Sequence, residues 1–152
     1  SNGAPGIDLG VLWNSGIRGA NVGLLLKNLN QPNVAKTSVP GDADAGKLPM
    51  DVHIGVSAPV AEASMVSVQW VMRDLSGDET DKRLVIGGET RLVEGLMLRA
   101  GGSKIFEDDA SGDINAGLGY KWNKTHFDYG YHIPLDLTET KGSHRFSLAY
   151  LF

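Results

Sequence analysis

The sequence predicts an all-β protein whose antiparallel strands follow one another up and down, as in a transmembrane β-barrel. Three observations lead to this prediction: a period of two in hydrophobicity over nine segments, connections that alternate between short and long, and a composition of 20 glycines against six prolines. No segment has the 3.6-residue period of an amphipathic helix. With 152 residues, we expect a single β-barrel domain over residues 1–152, or the C-terminal portion of a larger one.

Nine segments combine this alternation with about the length of a tilted strand that crosses a bilayer. Their predicted bounds are 6–14, 18–30, 47–59, 63–75, 83–93, 96–106, 114–123, 125–134 and 143–152. One parity is apolar in each segment. In segment order, those positions are Ile7, Leu9, Val11 and Trp13; Val22, Leu24 and Leu26; Met50, Val52, Ile54 and Val56; Val66, Val68, Trp70 and Met72; Leu84 and Ile86; Leu96, Leu98 and Ala100; Ile114, Ala116, Leu118, Tyr120 and Trp122; Phe127, Tyr129, Tyr131 and Ile133; and Phe146, Leu148, Tyr150 and Phe152.

The opposite parity carries polar and charged side chains separated by glycines. A packed protein interior could not hold these charges without a large desolvation cost, whereas a hydrated lumen could. They would either line a pore or plug it with internal ion pairs, and both alternatives stay open because lumen width depends on the number of strands. The predicted lumen-facing charged residues are Lys27, Asp51, His53, Arg73, Arg83, Glu89, Arg91, Arg99, Lys121, Asp128, His132 and Arg145.

The connections give the predicted sheet two different ends. Short turns are expected at 15–17, 60–62, 94–95 and 124, and longer loops at 31–46, 76–82, 107–113 and 135–142. A meander places all the short turns at one end, which is the asymmetry of outer-membrane barrels with periplasmic turns and extracellular loops. The sequence therefore predicts a location in the bacterial outer membrane, with membrane lipid and lipopolysaccharide as partners of the apolar face.

Aromatic residues are expected near both ends of the strands, where amphipathic rings suit membrane interfaces. Trp70 is the exception, because the predicted bounds place it in the middle of a strand. The predicted belts consist of Trp13, Trp122, Tyr150 and Phe152 at the short-turn end and of Phe106, Tyr131 and Phe146 at the loop end.

The composition argues against several classes of function. Without cysteine, the chain has no structural disulfide, thiolate catalysis or cysteine-ligated zinc. A net charge of -4 without a basic run argues against nucleic acid as a partner. No apolar run reaches the roughly 18 residues of a transmembrane helix, and no signal peptide is recognised. We expect no cofactor and no enzymatic activity.

One group of titratable residues raises the question of catalysis. His126, Asp128 and His132 share the polar parity of one segment. Residues two apart on one strand face are about 7 Å from each other, so a metal site or a Ser–His–Asp site would need convergent partners from other strands. We therefore interpret these residues as solvated lumen residues paired with basic groups, and keep a barrel-embedded lipid hydrolase as a minor alternative.

The stretch "EDDASGD" at 107–113 has the carboxylates and the glycine of a calcium-binding loop. It lacks the EF-hand spacing and its closing glutamate, so a solvated outer loop is the preferred interpretation. Its weak metal-ligand candidates are Glu107, Asp108, Asp109 and Asp113.

The chain ends in "SHRFSLAYLF", with Phe146, Leu148, Tyr150 and Phe152 at alternate positions. This series resembles the terminal strand signal of bacterial outer-membrane barrels. Together with "GIDLGVLWN", "NVGLLLKNLNQPN", "KLPMDVHIGVSAP" and "AGLGYKWNKTHFDYGY", the sequence resembles the second half of the PorV/PorQ-type barrels, relatives of the FadL-like transporters. The resemblance implies a barrel of more than nine strands that serves type IX secretion as a shuttle or passes hydrophobic molecules, with the rest of the barrel or secretion-system subunits as partners.

The predicted strand number raises two alternatives. If the last strand runs toward the periplasm, nine strands place the first residue outside, whereas bacterial barrels have an even strand number. We therefore expect a portion of a larger barrel, or closure as eight strands from Arg18 onward. From a different functional class, a soluble all-β binding or self-assembly module is the main rival, because a sandwich shows the same alternation.

Overall fold

The structure, a computed structural model, describes residues 4–34, 46–75, 80–106, 111–135 and 141–152. Over these ranges the chain forms nine β-strands and no helix, and hence no helix suited to crossing a membrane. The strands are β1 (Leu9–Asn14), β2 (Asn21–Lys27), β3 (Asp51–Ala61), β4 (Ser64–Arg73), β5 (Asp81–Val93), β6 (Leu96–Ile105), β7 (Gly112–Trp122), β8 (Thr125–Pro134) and β9 (Ser143–Tyr150).

The strands form one sheet in which spatial order follows chain order from β1 to β9. Every neighbouring pair is antiparallel, so the all-β antiparallel meander is confirmed. Two-residue turns at 62–63, 94–95 and 123–124 join β3 to β4, β5 to β6 and β7 to β8. Gly95 and Asn123 adopt positive φ angles of 83° and 52° there, which matches the left-handed residues of tight hairpin turns.

All nine predicted strands are present, but the ends of some differ from the prediction. The second strand was predicted to begin at Arg18, which instead has a φ of 49° inside a turn closed by a 2.9 Å hydrogen bond from Ser15 N–H to Ala20 C=O. Asn28, with a φ of 53°, ends β2 earlier than predicted. Hydrophobic alternation does not reveal such left-handed residues, which interrupt the extended backbone locally.

The register places the two predicted parities on opposite faces of the sheet. One row, on what we call the apolar face, consists of Trp13, Val22, Val56, Val68, Ile86, Gly102, Ile114 and Ile133. A row on what we call the polar face consists of Pro59, Met65, Glu89, Arg99, Gly117, Gly130 and Arg145. Because side chains alternate strictly along a strand, each strand contributes to both faces.

The sheet is open at both edges in the described part of the chain. β1 pairs with β2 alone and β9 with β8 alone, so the closed barrel is not observed and the structure is a single nine-stranded sheet. β1 is joined to β2 by six consecutive residue pairs, so it is a strand of the sheet. The expected eight-strand closure from Arg18 onward, which leaves out this strand, is therefore not observed either.

Few apolar side chains of the described residues are buried. Val52 and Val71, at 8% and 4% exposure, are buried among the strand residues, and Pro32 is buried in the connection after β2. In β7 the apolar-face residues Ile114 and Trp122 are 51% and 66% exposed, whereas Gly119 on the polar face is buried. The hydrophobic face of this sheet is thus its accessible face, the reverse of a sheet folded around an apolar core.

Candidate functional site

The polar face carries the candidate site. The register places all twelve residues predicted to face a lumen on this one face, distributed over β2 to β9. Within the face, side chains gather into groups whose members come from strands far apart in sequence. The structure defines two hydrogen-bonded groups and one looser collection of charges.

Arg99 joins carboxylates from two different strands. Its Nε lies 2.6 Å from Glu89 Oε2, and its Nη1 donates a 2.5 Å hydrogen bond to Asp128 Oδ1. Glu89 faces Arg99 directly across the β5–β6 pair, whereas Asp128 lies beyond β7 on β8. We call these three residues the Arg99 bridge. It holds two negative charges and one positive charge, and it links β5, β6 and β8 across β7.

Glycines in β7 leave room for the bridge. Gly117 faces Arg99 in the register and Gly119 faces Asp128. A Cβ at position 119 would lie 2.8 Å from Asp128 Oδ1 and 3.3 Å from Arg99 Nη1. A side chain at that position would therefore occupy the space between the two partners, so Arg99 reaches Asp128 because β7 presents bare backbone beneath it.

A second group centres on Asp113 and extends the network toward the long connections. Asp113 Oδ2 accepts a 2.7 Å hydrogen bond from Ser103 Oγ, and Asp113 Oδ1 accepts a 2.6 Å bond from Asn115 Nδ2. Asn115 Oδ1 is 2.7 Å from His132 Nδ1, and Arg83 Nη1 lies 3.9 Å from Asp113 Oδ2. We call these five residues the Asp113 network. It connects β5, β6, β7 and β8.

Asp113 was predicted to belong to an outer loop as a weak metal candidate. The structure corrects that position, because β7 begins at Gly112 and the carboxylate of Asp113 is held by the neighbouring polar groups. Glu107, Asp108 and Asp109 lie outside the described residues. Among the residues that are described, no three acidic, histidine or cysteine side chains are grouped so that they could hold a metal ion.

A looser set of charges lies at the long-connection end of β2 to β5. Lys27 faces Asp51 across β2–β3, and Arg73 faces Asp81 across β4–β5. Asp51 Oδ1 accepts a 3.3 Å hydrogen bond from the backbone N–H of Asp74. The alternation of cationic and anionic residues at this end of the strands compensates charge between neighbouring strands.

The remaining candidates are distributed over the face. Asp128, one of three residues considered for a hydrolase, accepts its hydrogen bond from Arg99, and His132 contacts Asn115. His126 Nε2 is inaccessible to solvent and has no hydrogen-bond partner within the described residues. The structure thus brings Asp128 to an arginine and not to a histidine. Arg91, Lys121 and Arg145 share the polar face and lie outside both groups.

The apolar face also contains a hollow and an aromatic contact. A hollow of about 640 Å³ follows Gly88, Ala100 and Ala116, which face one another across β5, β6 and β7. At the long-connection end, the ring of Trp70 packs 5.5 Å from that of Phe106. Trp70 was predicted to be a mid-strand residue outside the aromatic belts, but its contact places it beside a predicted belt residue.

Sequence reasoning missed the residues that make the bridge and network possible. The sequence pattern assigns no role to Gly117, Gly119 or Ser103. The signal that could have identified the glycines is their position on the polar parity of β7, between two strands that carry opposite charges. Ser103 offered no such signal, because its role depends on facing Asp113 across β6–β7.

Comparison of the chain with known protein families, with curated proteins and with solved structures finds no match in any of the three.

Proposed function

We propose that this chain forms wall strands of a β-barrel in a bacterial outer membrane and acts, without catalysis, in transport or in protein secretion. The proposal combines the exposed apolar face with the sequence resemblance to PorV/PorQ-type and FadL-like barrels. The apolar face would meet lipid and lipopolysaccharide, and the polar face would line the lumen. Backbone groups in such a wall are satisfied by strand pairing, as hydrocarbon requires.

The observation that carries the proposal is the exposure of the apolar face. Large side chains along it, such as Ile86, Leu118 and Phe146, are 52%, 43% and 79% exposed. Soluble monomers rarely leave contiguous apolar surface beyond a few hundred Å² in contact with water. A lipid environment removes that cost, whereas the charged opposite face could not serve as the core of a soluble sandwich.

Strand length and the aromatic residues support the same orientation. A ten-residue strand such as β4 or β8, at about 3.4 Å per residue and a tilt of about 40°, crosses about 26 Å. Outer-membrane barrels present an apolar band of about 25 Å to lipid. Trp122, beside a short turn, and the Trp70–Phe106 pair at the opposite end bracket this band.

Closure of the wall requires further strands. β1 and β9 are both odd-numbered strands of a meander, so they run in the same direction and their direct pairing would be parallel. An odd number of additional strands between them would keep every pair antiparallel and make the total even, as in bacterial outer-membrane barrels. These strands would satisfy the unpaired backbone groups that an exposed edge otherwise presents.

The Arg99 bridge and the Asp113 network bear on the type of lumen. Both groups join strands on the polar face, and both pair carboxylates with an arginine. Such pairing favours a lumen narrowed by ion pairs over a pore lined with free cations of one sign. A conductance recording in a planar bilayer separates an open pore from a plugged lumen.

The test of the proposal is the medium in which the chain folds. We expect the chain to fold only in the presence of detergent or lipid and to partition into the detergent phase, because its exposed apolar face needs a hydrocarbon environment. A chain that is monodisperse and folded in buffer without detergent would contradict the proposal and support a soluble binding or self-assembly module.

A matched pair of substitutions tests which face meets lipid. Ile86→Arg, on the apolar face, should destabilise the folded state in vesicles by about 2–4 kcal/mol, the cost of arginine near the bilayer midplane. Gln69→Arg, on the polar face one register row away, should cost far less. Equal tolerance of the two arginines in a folding titration would refute the assignment of the faces.

A further inference from the structure

A hollow of about 470 Å³ opens on the polar face of β1 to β4. Its floor contains Gly23 and Gly55, which face each other across β2–β3. The same register row continues to Leu12 on one side and to Gln69 on the other. The hollow is therefore a depression two strands wide, with an apolar side chain at one end and an amide at the other.

The two floor glycines are not demanded by the local backbone. Neither has a positive φ angle. A Cβ at Gly23 would meet Leu12 Cδ1 at 3.7 Å, and a Cβ at Gly55 would come no closer than 3.6 Å to any atom. These are ordinary van der Waals distances, so alanine would fit at both positions. Glycine here weakens a strand without a steric reason, and its effect is to keep the depression open.

The polar side chains that line the hollow are uncharged. Asn21, Ser57, Ser67 and Gln69 line it with amide and hydroxyl groups, and His53 adds an imidazole. Within the described part of the chain, no Asp, Glu, Lys or Arg contributes to this lining. The neighbouring hollow of about 400 Å³ on the same face differs in this respect, because Glu89 and Arg99 line it.

Hydrogen-bonding capacity remains in the wall. Gln69 Nε2 lies 3.3 Å from His53 Nδ1, a long contact that orients both side chains. The other ring nitrogen, His53 Nε2, also lacks a hydrogen-bond partner within the described residues, but it is inaccessible to solvent and so is not available to a ligand in the hollow. A ligand hydroxyl can both donate and accept, so it can pair with an amide or a hydroxyl.

Leucines add an apolar surface to this polar wall. Leu12 belongs to the polar face and is 78% exposed, and Leu25, also on this face, lines the same hollow. An exposed leucine among amides and hydroxyls fits a ligand that has an apolar side as well as hydroxyl groups. Sugar rings have this character, with C–H groups on their faces and hydroxyls around their edges.

We infer that this hollow binds a neutral, polyhydroxylated solute of the size of one or two sugar rings. The volume lies within the range of small-molecule sites, about 300–1,000 Å³. The inference deepens the proposed function and rests on it, since it takes the polar face to be the lumen face and names the class of solute that the lumen would accept. Charged sugars are disfavoured, because the lining supplies no opposite charge to offset their desolvation.

The test uses the full chain in a detergent without a sugar headgroup, such as lauryldimethylamine oxide. Binding of maltose is measured by saturation-transfer NMR, with glucuronate and glucosamine as anionic and cationic probes. We expect millimolar binding of maltose and at least about fivefold weaker binding of either charged sugar. Gly55→Ala should weaken maltose binding by about tenfold, the effect of one methyl group in a fitted pocket.

Gly130→Ala is the matched control for the methyl group. Gly130 lies on the polar face of β8, and a Cβ there would have no atom within 4 Å, so maltose binding should be unchanged. If Gly55→Ala does not fold, Gly23→Ala on the facing strand serves the same purpose. Absence of maltose binding, equal binding of all three sugars, or equal effects of the test and control substitutions would overturn the inference.

The folding medium separates this inference from the proposed function. A chain that requires detergent and fails to bind maltose leaves the membrane proposal intact and refutes the sugar site. A chain that folds in buffer without detergent refutes the membrane proposal, and binding of maltose measured in that buffer then decides the site independently.

Discussion

Gly119→Ala tests whether the bare backbone of β7 is what allows the Arg99 bridge. The added Cβ would lie 2.8 Å from Asp128 Oδ1, closer than real Cβ contacts, so the carboxylate must move away from its 2.5 Å partner, Arg99 Nη1. Both side chains end in flexible groups. The strands can therefore stay in place while the Arg99–Asp128 contact is lost.

In the single variant Gly119→Ala, we expect the loss of the Arg99–Asp128 contact to be offset by the gain from replacing a glycine. Hydrogen bonds between charged groups contribute about 1.5–3 kcal/mol, but the side chains of Arg99 and Asp128 are 42% and 35% exposed, so solvent screening reduces the expected value to about 1 kcal/mol. Replacing glycine with alanine in a compatible backbone stabilises by about 0.4–1 kcal/mol through the unfolded chain. Because these terms nearly cancel, the free energy of unfolding of Gly119→Ala alone should barely change.

A double-mutant cycle with Asp128→Ala separates the energy of the Arg99–Asp128 contact from the gain of replacing glycine. In the Asp128→Ala background the contact is already absent, so Gly119→Ala should now stabilise the protein by about 0.4–1 kcal/mol, the same gain that we expect of Gly130→Ala in the parent chain. The cycle should yield a coupling of about 1 kcal/mol in urea titrations followed by tryptophan fluorescence. A coupling below about 0.5 kcal/mol, the additivity limit of independent sites, would refute the role assigned to Gly119.

Two further predictions concern the same face. Gly87 and Gly101 face each other across β5–β6, yet a Cβ at Gly101 would lie 2.8 Å from a backbone carbonyl oxygen of β5, whereas one at Gly87 would meet nothing closer than 3.5 Å. Gly101→Ala should therefore lower the free energy of unfolding by about 1–3 kcal/mol, whereas Gly87→Ala should not lower it. Equal effects of the two substitutions on the urea midpoint would contradict the backbone clash. Asn115→Leu removes the amide that joins His132 to Asp113 and should cost about 1–3 kcal/mol, because both groups lose a partner; an unchanged urea midpoint would mean that this network contributes no stability.

The prediction of nine strands depended on patterns that act over a few residues. Alternation identifies strands because every second side chain points to the same face, and the residues of β8 were predicted at the bounds that the structure has. The turn conformations of Arg18 and Asn28 were not predicted, because a left-handed backbone is a property of single residues and an averaged hydrophobic pattern does not contain it.

The site was less predictable from sequence than the strands. That Arg99 would find acidic partners followed from charge alone, and Glu89 is its direct neighbour in the register. That Asp128 is the second partner depends on the clearance over β7, which brings together residues 29 positions apart. The position of Asp113 within a strand was missed because its carboxylate is compensated by groups from neighbouring strands.

The sequence by itself determined that this chain is all-β, that its strands form a meander and that their two faces differ in polarity, because alternation and turn residues are local signals. The tertiary structure alone decided which side chains meet across strands, that β1 and β9 remain separate edges, and that a glycine-floored hollow lies between Leu12 and Gln69. These features depend on the register of strand pairing and on how side chains from different strands are arranged on each face. A one-residue shift of any strand would exchange its faces and leave the sequence pattern of that strand unchanged.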